Sequence, residues 1–406
     1  MSYKTTLNEH QSTVAKIENE KNTPLKKDNT LIKDFRNQKE PASINLDVTG
    51  SSPSTIGFSH NYYDMNYVNV YGRNYFDSEQ RAVIMLYGGA GFEVEFCGTS
   101  LSADFITRSN SDSLYMQVLI DGENVSYNEQ NILEGAIAIK SATPKKYTLV
   151  ENLPYGVHTV KVLRRSMFDS GEIGLLSLQT DGFLIPAPNK AKLKIDIYGD
   201  SITAGYGVCN GIDWNSENSN GLITYGYLLS EKLGAQSNMM GHSGWGVYVS
   251  AGNSLNPKTQ WYDKIDLIAE SDYKWDFSNY NPDLVIINLG TNDASGLAGN
   301  YNSAQFISKY KTMITSILEK SQNAYVLLCY GMMGNNTTVN NDIQEVVNQL
   351  NNEKVAYLPL DNFGCWNGPG KNGHPNPEGN KIAADYLYNY IVSNYSDLIK
   401  LSTEKE

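Results

Sequence analysis

A serine hydroxyl becomes a useful nucleophile only when a base can take its proton and fixed donors can receive the negative charge that develops. Gly199-Asp200-Ser201-Ile202 offers a serine placed for that chemistry. It follows the alternating apolar run Leu193-Lys194-Ile195-Asp196-Ile197-Tyr198 and precedes a turn-rich Thr203-Ala204-Gly205-Tyr206-Gly207. Its hydroxyl therefore sits where a strand gives way to a loop, the edge at which open α/β sheets bind ligands. The chain has five histidines to supply a base. His10 lies in a polar N-terminal stretch, and His60 and His158 lie among strand-like runs, which leaves His242 and His374. His374 stands in Lys371-Asn372-Gly373-His374-Pro375-Asn376-Pro377-Glu378-Gly379, a loop just before a proline-started helix. Such a loop can hold an imidazole over a strand-end serine, so Ser201 and His374 are expected to form a nucleophile–base pair.

A tetrahedral oxyanion needs donors fixed in advance. Leu284 to Leu289 is an apolar run that ends in Gly290-Thr291-Asn292-Asp293, where Asn292 can present its side-chain amide at the same sheet edge. Gly244, in His242-Ser243-Gly244-Trp245-Gly246, can present a backbone N–H with no side chain in the way. The N–H of Ser201 is the third candidate donor. A competing nucleophile is Ser243, because Gly241-His242-Ser243-Gly244 opens like a G-x-S-x-G elbow; Trp245 then stands where the motif has glycine. That choice leaves the Gly199-Asp200-Ser201 and Asn292 blocks without a role, so Ser201 is preferred.

The elements that must position these residues can be read from hydrophobic period. From residue 190 onward, strand candidates at 192–198, 236–240, 284–289, 324–330 and 354–359 alternate with helical patterns. Those helices are expected over Leu222–Leu233, Ser303–Lys320, Asn340–Asn351 and Pro377–Tyr395. Alternation of this kind implies a parallel sheet with helices on both faces. Upstream the pattern is different. Residues 82–87, 92–96, 114–120 and 158–163 are short β-rich runs separated by Gly88-Gly89, Asp121-Gly122 and Pro154-Tyr155-Gly156, the pattern of an antiparallel sandwich. Pro186-Ala187-Pro188 makes a stiff hinge between the two halves. Residues 1–42 are polar with sparse apolar positions, and are expected to be a flexible arm. The organisation is thus an arm over 1–42, a sandwich over 43–188 and an α/β domain over 189–400.

Taken in order, Gly199-Asp200-Ser201, Gly244, Gly290-Thr291-Asn292-Asp293 and His374-Pro375 resemble the blocks of SGNH (GDSL-type) hydrolases over about residues 191–395. The upstream Gly72-Arg73, Phe96-Cys97-Gly98-Thr99, Asp121-Gly122, Leu153-Pro154-Tyr155-Gly156-Val157-His158 and Gly182-Phe183 look like carbohydrate esterase family 2. That resemblance implies an all-β jelly-roll sandwich followed by a flavodoxin-like α/β SGNH domain. It implies removal of O-acetyl groups from sugars through an acetyl-enzyme, with Ser201 as nucleophile and His374 as base. The oxyanion hole it implies is Ser201, Gly244 and Asn292, the substrate an acetylated saccharide, and no cofactor or metal. Two positions depart from the family pattern. Lys371 stands where many SGNH enzymes carry an Asp that orients the histidine, so a Ser–His dyad is expected. Gly373 stands where family 2 commonly has a tryptophan, so Trp245 or Trp366 is the candidate aromatic wall for a sugar. An esterase or acyltransferase working on a small acylated metabolite, and a glycan-binding protein with an idle esterase domain, are the competing readings.

Composition narrows the partners. The net charge of −12 argues against nucleic acid and anionic membrane, which reward a basic face. There is no run of eighteen apolar residues for a membrane helix, and Met1 to about Ala42 lacks the apolar core of a signal peptide, so a cytoplasmic address is expected. Cys97, Cys209, Cys329 and Cys365 form no CxxC pair, which argues against a zinc ribbon or redox motif; the pattern requires no disulfide, though Cys209 and Cys365 could approach each other near the site.

Overall fold

The structure, a computed structural model, describes residues 53–57, 67–108, 113–122, 136–209, 216–255, 262–265, 274–278, 280–295, 299–361 and 373–404. The expected arm over 1–42, together with Trp366, Cys365 and Lys371, lies outside the described residues. The first half is built from short strands: β1 (Thr55–Gly57), β2 (Val68–Tyr71), β3 (Asn74–Asp77), β4 (Ala82–Met85), β5 (Gly91–Gly98), β6 (Leu101–Arg108), β7 (Leu114–Ile120), β8 (Ala136–Ile139), β9 (Lys145–Val150), β10 (Gly156–Arg164), β11 (Glu172–Thr180) and β12 (Phe183–Ile185). They make two antiparallel sheets. One runs β3-β4-β11-β6-β9 with β1 added to β11, the other β12-β5-β10-β7-β8 with β2 added to β5. β5 shows why. Phe92, Val94 and Phe96 alternate with Glu93 and Glu95, so one face is fully buried while the glutamates remain half-buried. β10 pairs with it along its length, setting Val160 opposite Val94 and Val162 opposite Phe92. The inner faces meet in a core of Phe92, Phe96, Phe105, Met116, Val162 and Leu175, each contributing about 1.5–3 kcal/mol by burial.

The second half carries the parallel strands β13 (Lys194–Gly199) and β14 (Gln236–Gly241), a small hairpin of β15 (Val249–Ser250) and β16 (Ser254–Leu255), then the parallel strands β17 (Leu284–Asn288), β18 (Tyr325–Tyr330) and β19 (Val355–Pro359). The sheet order is β14-β13-β17-β18-β19, parallel throughout. β17 and β18 are near-continuous apolar runs because both faces of the sheet are covered. Val285 and Ile287 of β17 enter one core, Leu284 and Ile286 the other. Helices Ser303–Lys320 and Thr337–Leu350 cover the first face, and Tyr225–Lys232 and Pro377–Asn394 the second.

Two helices differ from the periodic reading. The pattern over Leu222–Leu233 breaks into a 3-10 turn, Gly221–Ile223, and a helix, Tyr225–Lys232. Asn220 caps the first through Leu222 N–H, Thr224 is extended, and the N–H of Tyr225 bonds Asn380 at 2.9 Å. The helix expected from Asn340 starts at Thr337, because the Asn336 side chain accepts from the N–H groups of Thr338 and Val339.

Gly50–Glu406 is one compact unit, so the sandwich and the α/β layer share a packed seam. Gly88 and Gly221 meet backbone to backbone there; a Cβ on Gly88 would lie 3.1 Å from Gly221 Cα. Ala82, Ile84, Tyr87 and Phe168 of the sandwich join the same core as Tyr198, Met240 and Trp245. Arg73 crosses deepest. It donates to the carbonyls of Tyr262 (2.5 Å) and Lys264 (2.7 Å), to Tyr198 Oη (2.6 Å) and to Asp196 Oδ2 (3.1 Å). Both side chains of the Arg73–Asp196 ion pair are wholly buried.

Candidate active site

β14, β13 and β17 end level with one another. Gly199 is in register with Gly241 on one side and Asn288 on the other, so the residues beyond each strand emerge along a single edge. The chain leaves β13 for β14 on one side and returns as β17 on the other, which makes this edge a topological switch point.

After β13, Asp200 caps a short helix, Ser201–Ala204, by accepting from Ile202 N–H at 2.9 Å. Ser201 therefore stands at the first position of a helix, where the backbone N–H has no intrahelical partner. A Cβ at Gly199 would lie 2.0 Å from Thr203 Oγ1, so any side chain there forces Thr203 to shift. The Ser201 Oγ lies 2.8 Å from His374 Nε2. His374 is 8 % exposed and is held in place by the start of the next helix. Asn376 caps helix Pro377–Asn394 by accepting from Gly379 N–H, and Asn380 donates to the carbonyls of Pro375 and Asn376. The Tyr206 ring packs on the imidazole, centroids 4.6 Å apart.

After β14 comes the turn that carries Gly244, in the left-handed region at φ +82°. Ser243 N–H approaches Asp169 Oδ2 at 3.4 Å, and Trp245 N–H bonds the His242 carbonyl at 3.3 Å. Among the described residues, the N–H groups of Gly244 and Ser201 have no acceptor. After β17, Thr291–Ser295 forms another short helix. The Asn292 amide donates to the Trp245 carbonyl at 2.6 Å and to Asp200 Oδ2 at 3.3 Å. The next residue, Asp293, accepts from the N–H groups of Val247, Tyr248 and Val249, each at 2.8 Å. Sequence reading assigned Asp293 no role, although its place directly after Asn292 was the available signal.

Burial pushes the Asp200 carboxyl up to about 7, with the nearby Asp293 charge adding to the effect. Burial also takes Asp293 up to about 6, against its three N–H bonds.

The structure thus brings Ser201, His374, Gly244 and Asn292 to one sheet edge. Ser243 stands apart from the base, with its Oγ 3.9 Å from Met167 Sδ. Trp245 is 8 % exposed and stacks on the His242 ring, centroids 4.8 Å apart. Cys97, Cys209 and Cys329 are buried free thiols. Among the described residues, no group of three or more His, Cys, Asp or Glu side chains could hold a metal ion. No described helix is long and apolar enough to cross a membrane.

Residues 197–387 match the GDSL-like lipase/acylhydrolase family, and residues 70–188 match the carbohydrate esterase 2 N-terminal domain. The chain joins a GDSL-like acylhydrolase domain to a carbohydrate esterase 2 N-terminal domain. Its relatives include the cellulase/esterase CelE of Acetivibrio thermocellus, 28 % identical over 312 residues. That match takes in 74 % of this chain and 36 % of CelE, so the chain spans about a third of that relative's length. An acetylxylan esterase / glucomannan deacetylase of Cellvibrio japonicus is 25 % identical over 331 residues, 78 % of this chain and 86 % of that protein. Among solved structures, a family two carbohydrate esterase from Clostridium thermocellum in complex with cellohexaose superposes with a TM-score of 0.71. It is 25 % identical, with 81 % of this chain and 99 % of that one covered. The jelly-roll sandwich and flavodoxin-like sheet expected from sequence are the architecture observed.

Proposed function

We propose that the chain is a serine esterase that removes O-acetyl groups from sugars or polysaccharides through an acetyl-enzyme. The observation that carries this reading is the 2.8 Å contact between Ser201 Oγ and His374 Nε2 at a sheet edge that also presents the Ser201 and Gly244 N–H groups. His374 takes the proton as Ser201 attacks the acetyl carbonyl. The carbonyl oxygen gains negative charge, which the two backbone donors and Asn292 receive. Of the two bonds the Asn292 amide makes, the longer one to Asp200 is the one an oxyanion can replace. His374 then protonates the departing sugar oxygen as the bond between it and the acetyl carbon breaks, which gives the free sugar hydroxyl. In the second half-reaction it activates a water, whose attack on the acetyl carbon releases acetate and frees Ser201. A Ser–His dyad is sufficient for every proton in this cycle.

The relatives named for xylan and glucomannan support acetylated plant polysaccharides as the substrate class. Substrate size is tied to compartment. Polymeric xylan or mannan requires the chain to reach the cell exterior, whereas small acetylated saccharides do not; cell fractionation decides between them. The chemistry is tested with Ser201→Ala on an aryl acetate and on acetylated xylan and mannan. Activity should fall by at least roughly 10³-fold. Turnover within tenfold of the parent protein removes Ser201 from the mechanism.

A further inference from the structure

The turn that bears Gly244 is held from two directions, and one of the holders belongs to the sandwich. Asp169 lies in a 3-10 turn, Phe168–Ser170, just before β11. Its Oδ1 is 3.0 Å from His242 Nε2, and its Oδ2 is 3.4 Å from Ser243 N. His242 is clasped between rings, stacked on Trp245 and 5.6 Å from Phe168. The platform under Asp169 is rigid. The buried Arg164 guanidinium donates to the carbonyls of Met85, Ser166 and Met167, and Phe168 stacks on Tyr87 with centroids 4.9 Å apart. From the other side Asp293 holds Val247, Tyr248 and Val249, and the Asn292 amide holds the Trp245 carbonyl. Gly244 lies between these two anchors with its N–H unspent.

We propose that Asp169 is a positioning residue of the ester-cleaving site: acting through His242 and Ser243, it fixes the direction of the Gly244 N–H, so the sandwich completes the oxyanion hole without touching substrate. This rests on the esterase reading. A donor misaligned by a loosened turn loses transition-state stabilisation while leaving substrate binding largely intact, so the effect belongs in kcat rather than KM.

The test compares the full chain with Asp169→Ala and Asp169→Asn on an aryl acetate, with active serines counted by a fluorophosphonate label. Affinity for a boronic acid, which forms a tetrahedral adduct on Ser201, is read in parallel. For Asp169→Ala, kcat per labelled serine should fall about 10- to 100-fold with KM within about threefold, and boronate affinity should weaken by a similar factor. Asp169→Asn, which keeps an acceptor for Ser243 N–H, should lose less. A merely structural role lowers the number of labelled serines but leaves kcat per serine and boronate affinity in place. Should Asp169→Ala fail to fold, Asp169→Asn and His242→Gln carry the same comparison. Values within twofold of the parent in the folded variants, beside an inactive Ser201→Ala, overturn this inference alone. Activity retained by Ser201→Ala overturns the esterase reading and this inference with it.

Discussion

Burial raises the carboxyls of Asp200 and Asp293, one to about 7 and the other to about 6 against an ordinary value of 3.8, in opposition to the N–H groups that they accept from. A group whose value rises on folding adds stability that is fully present below its unfolded value and is lost as pH climbs through the folded one. These two therefore support the protein most below about pH 4, and that stability is lost between about pH 4 and pH 7. The thermal midpoint should drop by about 5 °C between pH 5 and pH 7. A midpoint that stays level or climbs over that interval contradicts the assignment, and Asp200→Asn should flatten the profile. At this scale the sequence was informative where a residue's role depends on its own position. Ser201 and Asn292 stand just beyond strands that their apolar residues mark, Gly244 follows a more polar one, and His374 stands just before a marked helix. Asp169 was invisible because its value comes from a contact 74 positions away in the other half of the chain.

Among the elements, the row Gly199, Gly241 and Asn288 sets the level from which all three loops of the site depart. The absence of a side chain at Gly199 is what lets Thr203 fold back over the strand end and bond Tyr225 Oη at 2.7 Å. Gly199→Ala should cost about 1–3 kcal/mol by overpacking, read as a lower urea midpoint. Gly57→Ala, at an exposed position with nothing within 4 Å of the added Cβ, should shift stability by less than about 0.5 kcal/mol. Equal effects at the two sites would show that crowding at the strand end is not what glycine relieves. The parallel strands were legible within one or two residues, β17 and β18 because burial on both faces demands near-unbroken apolar runs. The sandwich was legible in kind but not in full. β6 and β11 mix Ser, Asp, Thr and Gln among their apolar residues, so their period-2 signal is diluted. Helix starts were missed where an asparagine cap, such as Asn336, pulls the first turn upstream of the apolar stripe.

The molecule as a whole is held across its seam by Arg73. Removing one partner of a buried ion pair leaves the other charge unpaired, so Arg73→Ala should destabilise the protein by about 3–5 kcal/mol. Stacking against Tyr198, Trp275 and Phe277 is lost with it. An unfolding free energy within 1 kcal/mol of the parent, measured in urea, would mean the seam relies on its apolar contacts instead. The same contact also sets an order in time. Arg73 precedes Asp196 by 123 positions, so a ribosome delivers the guanidinium on the order of ten seconds before the carboxylate it neutralises. The sandwich can thus finish folding while the parallel sheet is still being made, and Asp196 enters that sheet with its counter-ion already waiting. A circular permutant that places the sandwich last would reverse the schedule, leaving the nascent sheet to close around a carboxylate with no cation beside it.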